Sequence, residues 1–185
     1  VDLLENLNNK KKKIRKTVGI VFQDPDDQLF MPTVIEDVMF GPKNFGFTDE
    51  ESERLALDAL DKVNMSDYLD RPPHHLSYGQ KRKVAIASVL ASKPKLLVLD
   101  EPGSNLDPSS RRELIDILNN LDVSKILVTH DLPMALEICK RSIVLNEGEV
   151  TRDDQTINIL NDENFMKENR LELPFGFAFH HFGEE

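Results

Sequence analysis

Two adjacent carboxylates, Asp100 and Glu101, follow directly on the apolar run Leu96-Leu97-Val98-Leu99. A short continuous apolar run reads as a buried strand. The pair therefore arrives at a strand's C-terminal edge, where open α/β sheets bind their ligands. Such a pair suits phosphoryl transfer: one carboxylate holds Mg²⁺, directly or through water, and the next orients and deprotonates an attacking water. A structural strand ending in a solvated turn gives the same pattern. Gln23 follows a second apolar run, 18–22, and can offer its carbonyl oxygen to a hard cation. Ser77, Gly79 and Gln80 open a helical pattern, where a hydroxyl and free backbone N–H groups favour an anion or simply cap the helix. His130 stands just past the run 126–128, within reach of whatever that strand edge binds.

The elements that must position these residues are legible from periodicity. The runs at 18–22, 96–99 and 126–128 predict buried strands, and 143–145 predicts a fourth, followed by a turn at Glu147-Gly148 and a short partner at 149–151. Thr48 with Glu51 forms a capping box ahead of Ala56, Ala59, Leu60 and Val63 at helical spacing. From Gly79, the small residues Val84, Ala87, Ser88 and Ala91 share a face. Asp107 with Pro108 reads as an N-cap and first turn, leading to Leu114, Ile117, Leu118 and Leu121. A further helix begins near Pro133, and another lies near 162–170. Strands separated by helices make an α/β fold with a parallel sheet. The stretch 24–95 is too long for a simple crossover and reads as an inserted α-helical subdomain.

Composition narrows the function classes. The chain has 185 residues, a length suited to one domain with a small appendage. Its 23 Lys+Arg against 33 Asp+Glu leave a net charge of -10, which argues against a general affinity for nucleic acid or anionic membranes. The single cysteine, Cys139, cannot form an internal disulfide, in keeping with a reducing, intracellular setting. No apolar run approaches the roughly 20 residues needed to span a bilayer, so a membrane role would run through a partner. Adjacent histidines point apart on a strand and sit about 100° apart on a helix. Neither His74-His75 nor His180-His181 is therefore a chelate without further ligands. The lysines at 10–13 read as a solvated charge run.

Gln23, the run Leu76-Ser77-Tyr78-Gly79-Gln80, the strand ending in Asp100-Glu101, the run Ser104-Asn105-Leu106-Asp107, and His130 occur in this order. Across about 14–151 the chain resembles the ATP-binding-cassette ATPases, matching their Q-loop, signature, Walker B strand, D-loop and switch histidine. The resemblance implies a P-loop NTPase-like sheet, with ATP and Mg²⁺ as ligands. It implies that Glu101 is the general base, that Asp100 and Gln23 hold Mg²⁺, and that His130 contacts the γ-phosphate. Ser77, Gly79 and Gln80 would complete a partner subunit's ATP site, and Asp107 would lie in the loop through which two sites communicate. Two positions depart from the pattern: Tyr78 and Gly103 stand where glycine and threonine are usual. A ring at 78 would crowd the phosphate-facing amides, since glycine permits closer approach.

The sequence contains no G-x-x-x-x-G-K-S/T phosphate loop, and Gly41-Pro42-Lys43-Asn44-Phe45-Gly46 has proline where an amide is needed. The chain is therefore expected to begin after that loop, with part of the sheet exposed and little nucleotide binding of its own. On this basis 1–155 is a partial ATPase domain, with the helical subdomain at about 24–95, and 156–185 is a polar and aromatic C-terminal extension. The strip from Phe22 to Phe30, then Thr33-Val34, Glu36-Asp37-Val38 and Phe40-Gly41-Pro42, and Pro72-Pro73-His74-His75-Leu76-Ser77 resemble cobalt-type and energy-coupling-factor importers. That branch implies a second ATPase subunit, integral membrane partners, a place on the cytoplasmic face of a prokaryotic membrane, and cobalt, nickel or a vitamin as cargo. The surface with Asp26, Asp27 and Phe30 would receive the membrane partner. A non-catalytic interaction module and an ATPase of this family outside transport are the alternatives.

Overall fold

Strand β1 (Val18–Val21) lies parallel to β2 (Leu96–Asp100), which lies parallel to β3 (Ser124–Val128), in the order β1-β2-β3. The computed structural model describes residues 14–173. Val21 pairs with Leu99, and Leu99 with Leu127, so the three strands end together at one carboxyl edge. Between β1 and β2 the chain is helical: a 3-10 turn Pro25–Asp27, α1 (Val34–Asn44), α2 (Asp49–Lys62), 3-10 turns Ser66–Tyr68 and Pro73–His75, and α3 (Tyr78–Leu90). Helix α4 (Pro108–Asn120) joins β2 to β3.

The helix starts follow from local chemistry. Thr33, Thr48 and Ser77 each build a full capping box with the residue three positions on, which satisfies two orphan amides at the start of α1, α2 and α3. Asp107 caps α4 and Pro108 occupies its first turn. The Gly41-Pro42 run lies inside α1, not in a phosphate-binding loop. The predicted faces are the buried ones: Ala56, Ala59, Leu60 and Val63 beside α2's Leu55, Val84 and Ala87 on α3, and Leu114, Ile117 and Leu118 on α4.

The apolar runs read as strands buried on both faces, while the missing phosphate loop predicts a sheet exposed in part, and the structure shows the exposure. Val21, Leu97 and Leu99 share one face and are at most 0% exposed. Ile20, Ile126 and Val128 share the other and are 51%, 48% and 50% exposed. A strand's side chains alternate, so helices on one face leave every second residue in solvent. The apolar runs were thus correctly strands, with only one covered side.

The described residues divide after Val128, and those from Thr129 form a second compact unit. It holds α5 (Leu132–Ile138), β4 (Arg141–Asn146), β5 (Glu149–Gln155), α6 (Thr156–Asn161) and α7 (Glu163–Glu168). The predicted strand at 143–145 extends in both directions, and pairs antiparallel with β5 as a two-stranded sheet of its own. Glu147 and Gly148, at φ 50° and 83°, make the turn that right-twisted hairpins favour. Arg141 grips Asp153 across the hairpin with two bonds of 2.6 Å. Met134, Ile159, Leu160 and Met166 are buried. Strand β4 pairs with β5 and not with β1–β3. His180, His181, the aromatic tail at 175–182 and the lysines at 10–13 lie outside the described residues.

Candidate functional site

Residues from three separate stretches meet at the carboxyl edge of β1–β3. Gln23 leaves β1 two residues past Val21 and is exposed. Asp100 ends β2, exposed, and Glu101 follows at φ 43°, a left-handed conformation that costs a non-glycine residue about 1–2 kcal/mol. The Glu101 amide donates to the carbonyl of Val128 at 2.9 Å, so the backbone that presents this carboxylate is tied to the neighbouring strand's end. Strain held in place by neighbouring structure is a mark of a functional position.

The loop after β2 then turns through Asn105, at φ 61°, to Asp107. Asp107 accepts from the amides of Ser109 and Ser110 at 3.0 Å each and from the Ser110 hydroxyl at 2.6 Å. These bonds, the hydroxyl's first, hold its carboxyl below the ordinary value of 3.8. Ser110 also faces the start of α3. A Cβ on Gly79 would fall 2.8 Å from the Ser110 Oγ and 3.0 Å from its Cβ. Glycine at 79 is therefore required by the approach of two helix starts, a reason the sequence alone does not give.

At the start of α3, the Ser77 Oγ accepts from the Gln80 amide at 3.3 Å, and the Gln80 Oε1 accepts from the Ser77 amide at 2.9 Å. Both named side chains thus cap the helix. The Tyr78 ring reaches back toward Gln23, where its hydroxyl donates to the Gln23 carbonyl at 3.3 Å. Phe22, Gln23, Asp24, Asp27, Tyr78 and Asn105 line a cavity of about 500 Å³.

One residue absent from the sequence-based set is central. Arg82, 0% exposed, lies one turn after Tyr78 and donates to the carbonyls of Phe22 at 2.8 Å and Gln23 at 2.5 Å, and to the Tyr78 hydroxyl at 3.1 Å. Burial pushes the Arg82 guanidinium below its ordinary value, opposed by Tyr78 and Asp24. Its signal in the sequence was a lone arginine at i+4 from an aromatic on a helix of small residues.

His130 belongs to the second unit, where it is exposed and immediately precedes Asp131, the N-cap of α5. Asp131 accepts from the Met134 amide at 2.9 Å. His74 and His75 are exposed on their 3-10 turn with rings 4.3 Å apart, edge to face.

The donor set fits a hard cation. Asp100, Glu101 and Gln23 offer oxygen only, and among the described residues no group of three His, Cys, Asp or Glu side chains gathers to hold a metal. Oxygen donors suit Mg²⁺, which keeps water and takes further oxygens from phosphate. No helix among the described residues is long and apolar enough to cross a membrane.

Comparison with known proteins bears on the family and the fold. The model of the "ABC transporter" family matches residues 2–104. A putative ABC transporter ATP-binding protein of Streptomyces avermitilis is 61% identical over 165 residues, covering 89% of this chain and 63% of the relative. The energy-coupling factor transporter ATP-binding protein EcfA of Methanosphaera stadtmanae is 45% identical, covering 92% of this chain and 64% of the relative. Among solved structures, cbiO1 from Clostridium perfringens, described as part of the ABC transporter complex cbiONQ, superposes with a TM-score of 0.75 at 37% identity, covering 88% of this chain and 66% of that one. The chain thus spans under two thirds of the length of these relatives.

Proposed function

The chain belongs to the ABC transporter family, and we propose that it is the ATP-hydrolysing, energy-coupling part of a prokaryotic importer. The observation that carries this reading is the Asp100-Glu101 pair at the end of β2, with Glu101 held in a left-handed conformation by its bond to Val128. Bound Mg²⁺ would neutralise charge on the phosphates being transferred. Asp100 and Gln23 are the residues that would hold it. Glu101 takes the proton of the attacking water as general base, and His130 contacts the γ-phosphate. The start of α3, with Ser77, Gly79 and Gln80, presents amides and a hydroxyl to the nucleotide of a second ATPase subunit across a dimer. Asp107, on the loop beside it, lies where two such sites would communicate.

The partners in this reading are a second ATPase subunit, the same or different, and integral membrane subunits, with the chain on the cytoplasmic face. The surface after Gln23 would receive the membrane subunit. In its favour, Phe30 is 63% exposed and packs edge to face on Phe40, 41% exposed, at 4.8 Å. Exposed aromatics of this kind are enriched where proteins bind one another. Cobalt, nickel or a vitamin as cargo rests on the resemblance of the strip from Phe22 to Phe30 and of Pro72-Pro73-His74-His75-Leu76-Ser77 to cobalt-type and energy-coupling-factor importers. Hydrolysis also needs a phosphate loop, which the 185 residues do not contain, so this chain by itself is expected to turn over no ATP.

Glu101→Gln tests the assignment in a version that includes a phosphate loop. Turnover should fall by about 100-fold or more while ATP binding persists. Undiminished hydrolysis would remove Glu101 from its role.

A further inference from the structure

We propose that Tyr78 and Arg82 are positioning residues for Gln23, binding the loop after β1 to helix α3 so that the two move as one body. The functional half of this inference rests on the role of Gln23 proposed above; the mechanical half does not.

The loop 22–28 is bound to α3 at three places. The buried Arg82 guanidinium forks to the carbonyls of Phe22 and Gln23, two consecutive acceptors, and the Tyr78 hydroxyl closes a triangle with Arg82 and the Gln23 carbonyl. The Gln28 side chain accepts from the Phe22 amide at 3.1 Å and donates to the Ala85 carbonyl at 2.6 Å and the Ser88 hydroxyl at 2.9 Å. Lys81 pairs with Asp26 at 2.7 Å. Tyr78, Lys81, Arg82, Ala85 and Ser88 recur at three- and four-residue spacing, which places them along one stripe of the helix.

A planar guanidinium is suited to holding two fixed carbonyls, because its donors are rigid and it stays charged when desolvated. The ring at 78, where glycine is usual in the family, adds a contact that glycine cannot make. In the proposed reading, any displacement of the start of α3 on engaging a second subunit's nucleotide is transmitted to the Gln23 backbone without slack. Tyr78 thus acts within its own chain, on the loop that carries Gln23.

The test is hydrogen exchange on the 185-residue chain, comparing amides in 20–29 with those in 84–91, the continuation of α3. In Arg82→Lys, exchange in 20–29 should rise by at least about tenfold with 84–91 unchanged, since an ammonium cannot replace the fork. Tyr78→Phe keeps the ring and removes one hydroxyl, and should raise exchange in 20–29 by about threefold. Unchanged exchange in 20–29 for both variants, or equal acceleration in both segments, would overturn the coupling. If Arg82→Lys does not fold, Tyr78→Phe decides the matter by the same criterion. In a preparation that hydrolyses ATP, Tyr78→Phe should lower kcat severalfold and leave KM for ATP unchanged. A raised KM at unchanged kcat would overturn the positioning role. If Glu101→Gln keeps full activity while the exchange result holds, the proposed function fails and the mechanical coupling stands.

Discussion

The loops that leave β1 and β2 stand side by side at one sheet edge, yet they are held by different means. The first, 22–28, is fixed by side chains reaching from α3: Arg82, Tyr78 and Lys81, with Gln28 reaching the other way. The second, 101–107, is shaped by backbone. Glu101 and Asn105 take left-handed conformations, the Glu101 amide bonds to Val128, and the Ser104 and Leu106 amides bond to the Glu101 and Gly103 carbonyls. A loop built by its backbone keeps its shape when one of its side chains is changed. A loop built by distant side chains can be moved by them, which suits a residue whose position must change with that of a helix.

This contrast predicts unequal sensitivity to substitution. Arg82→Met leaves two loop carbonyls without their charged donor, and should cost about 3 kcal/mol in urea unfolding, seen as a lower midpoint at unchanged slope. Glu101→Gln, in the backbone-built loop, should stay within about 0.5 kcal/mol of the parent. A large loss of stability there would erase the distinction.

Next in size is Gly79→Ala, which drives a methyl against Ser110 where the starts of α3 and α4 meet. The cost should be about 1–3 kcal/mol. In a Ser110→Gly background it should shrink, and a double-mutant cycle with no coupling would show that the two helix starts do not press on one another.

The smallest effects are expected from two carboxylates with opposite pH signatures. Asp107 is held below 3.8 by its bonds to Ser110 and Ser109, so its charge stabilises the fold above that pH and ceases to do so as pH falls through the lowered folded value. Asp107→Asn keeps a capping oxygen, and should be less stable than the parent at pH 7 and equal to it in strong acid. Asp37, 4% exposed, accepts from the Phe30 and Met31 amides at 3.0 Å, but burial pushes its carboxyl above 3.8. Its ionisation therefore costs stability at neutral pH, a cost that disappears as pH falls below the ordinary value. Asp37→Asn should gain stability at pH 7, with the gain gone near pH 3. Melting curves at both pH values, with either sign reversed, would refute the assignment of causes.

Much of this was legible beforehand for a physical reason. A capping box occupies four residues, so Thr48-Glu51 declares itself in a short window, as do the Ser77 cap and the Asp107-Pro108 start. The apolar runs found all three parallel strands because burying even one face demands β-formers. The runs could not say that the second face of β1 and β3 is half exposed, since that depends on what packs against it. Gln23 and Glu101 could be placed at strand ends because each follows an apolar run. Arg82 was not, because its acceptors lie 59 and 60 residues away in the chain.

The sequence by itself determined where strands and helices begin, how helices are capped, and which oxygens stand at the strand ends, because those depend on neighbours within a few residues. Only the tertiary structure decided that Gly79 makes room for Ser110, and that a buried arginine and a tyrosine fasten the Gln23 loop to α3. Those contacts join segments that the chain keeps far apart, and close approach and desolvation exist only once the fold has brought them together.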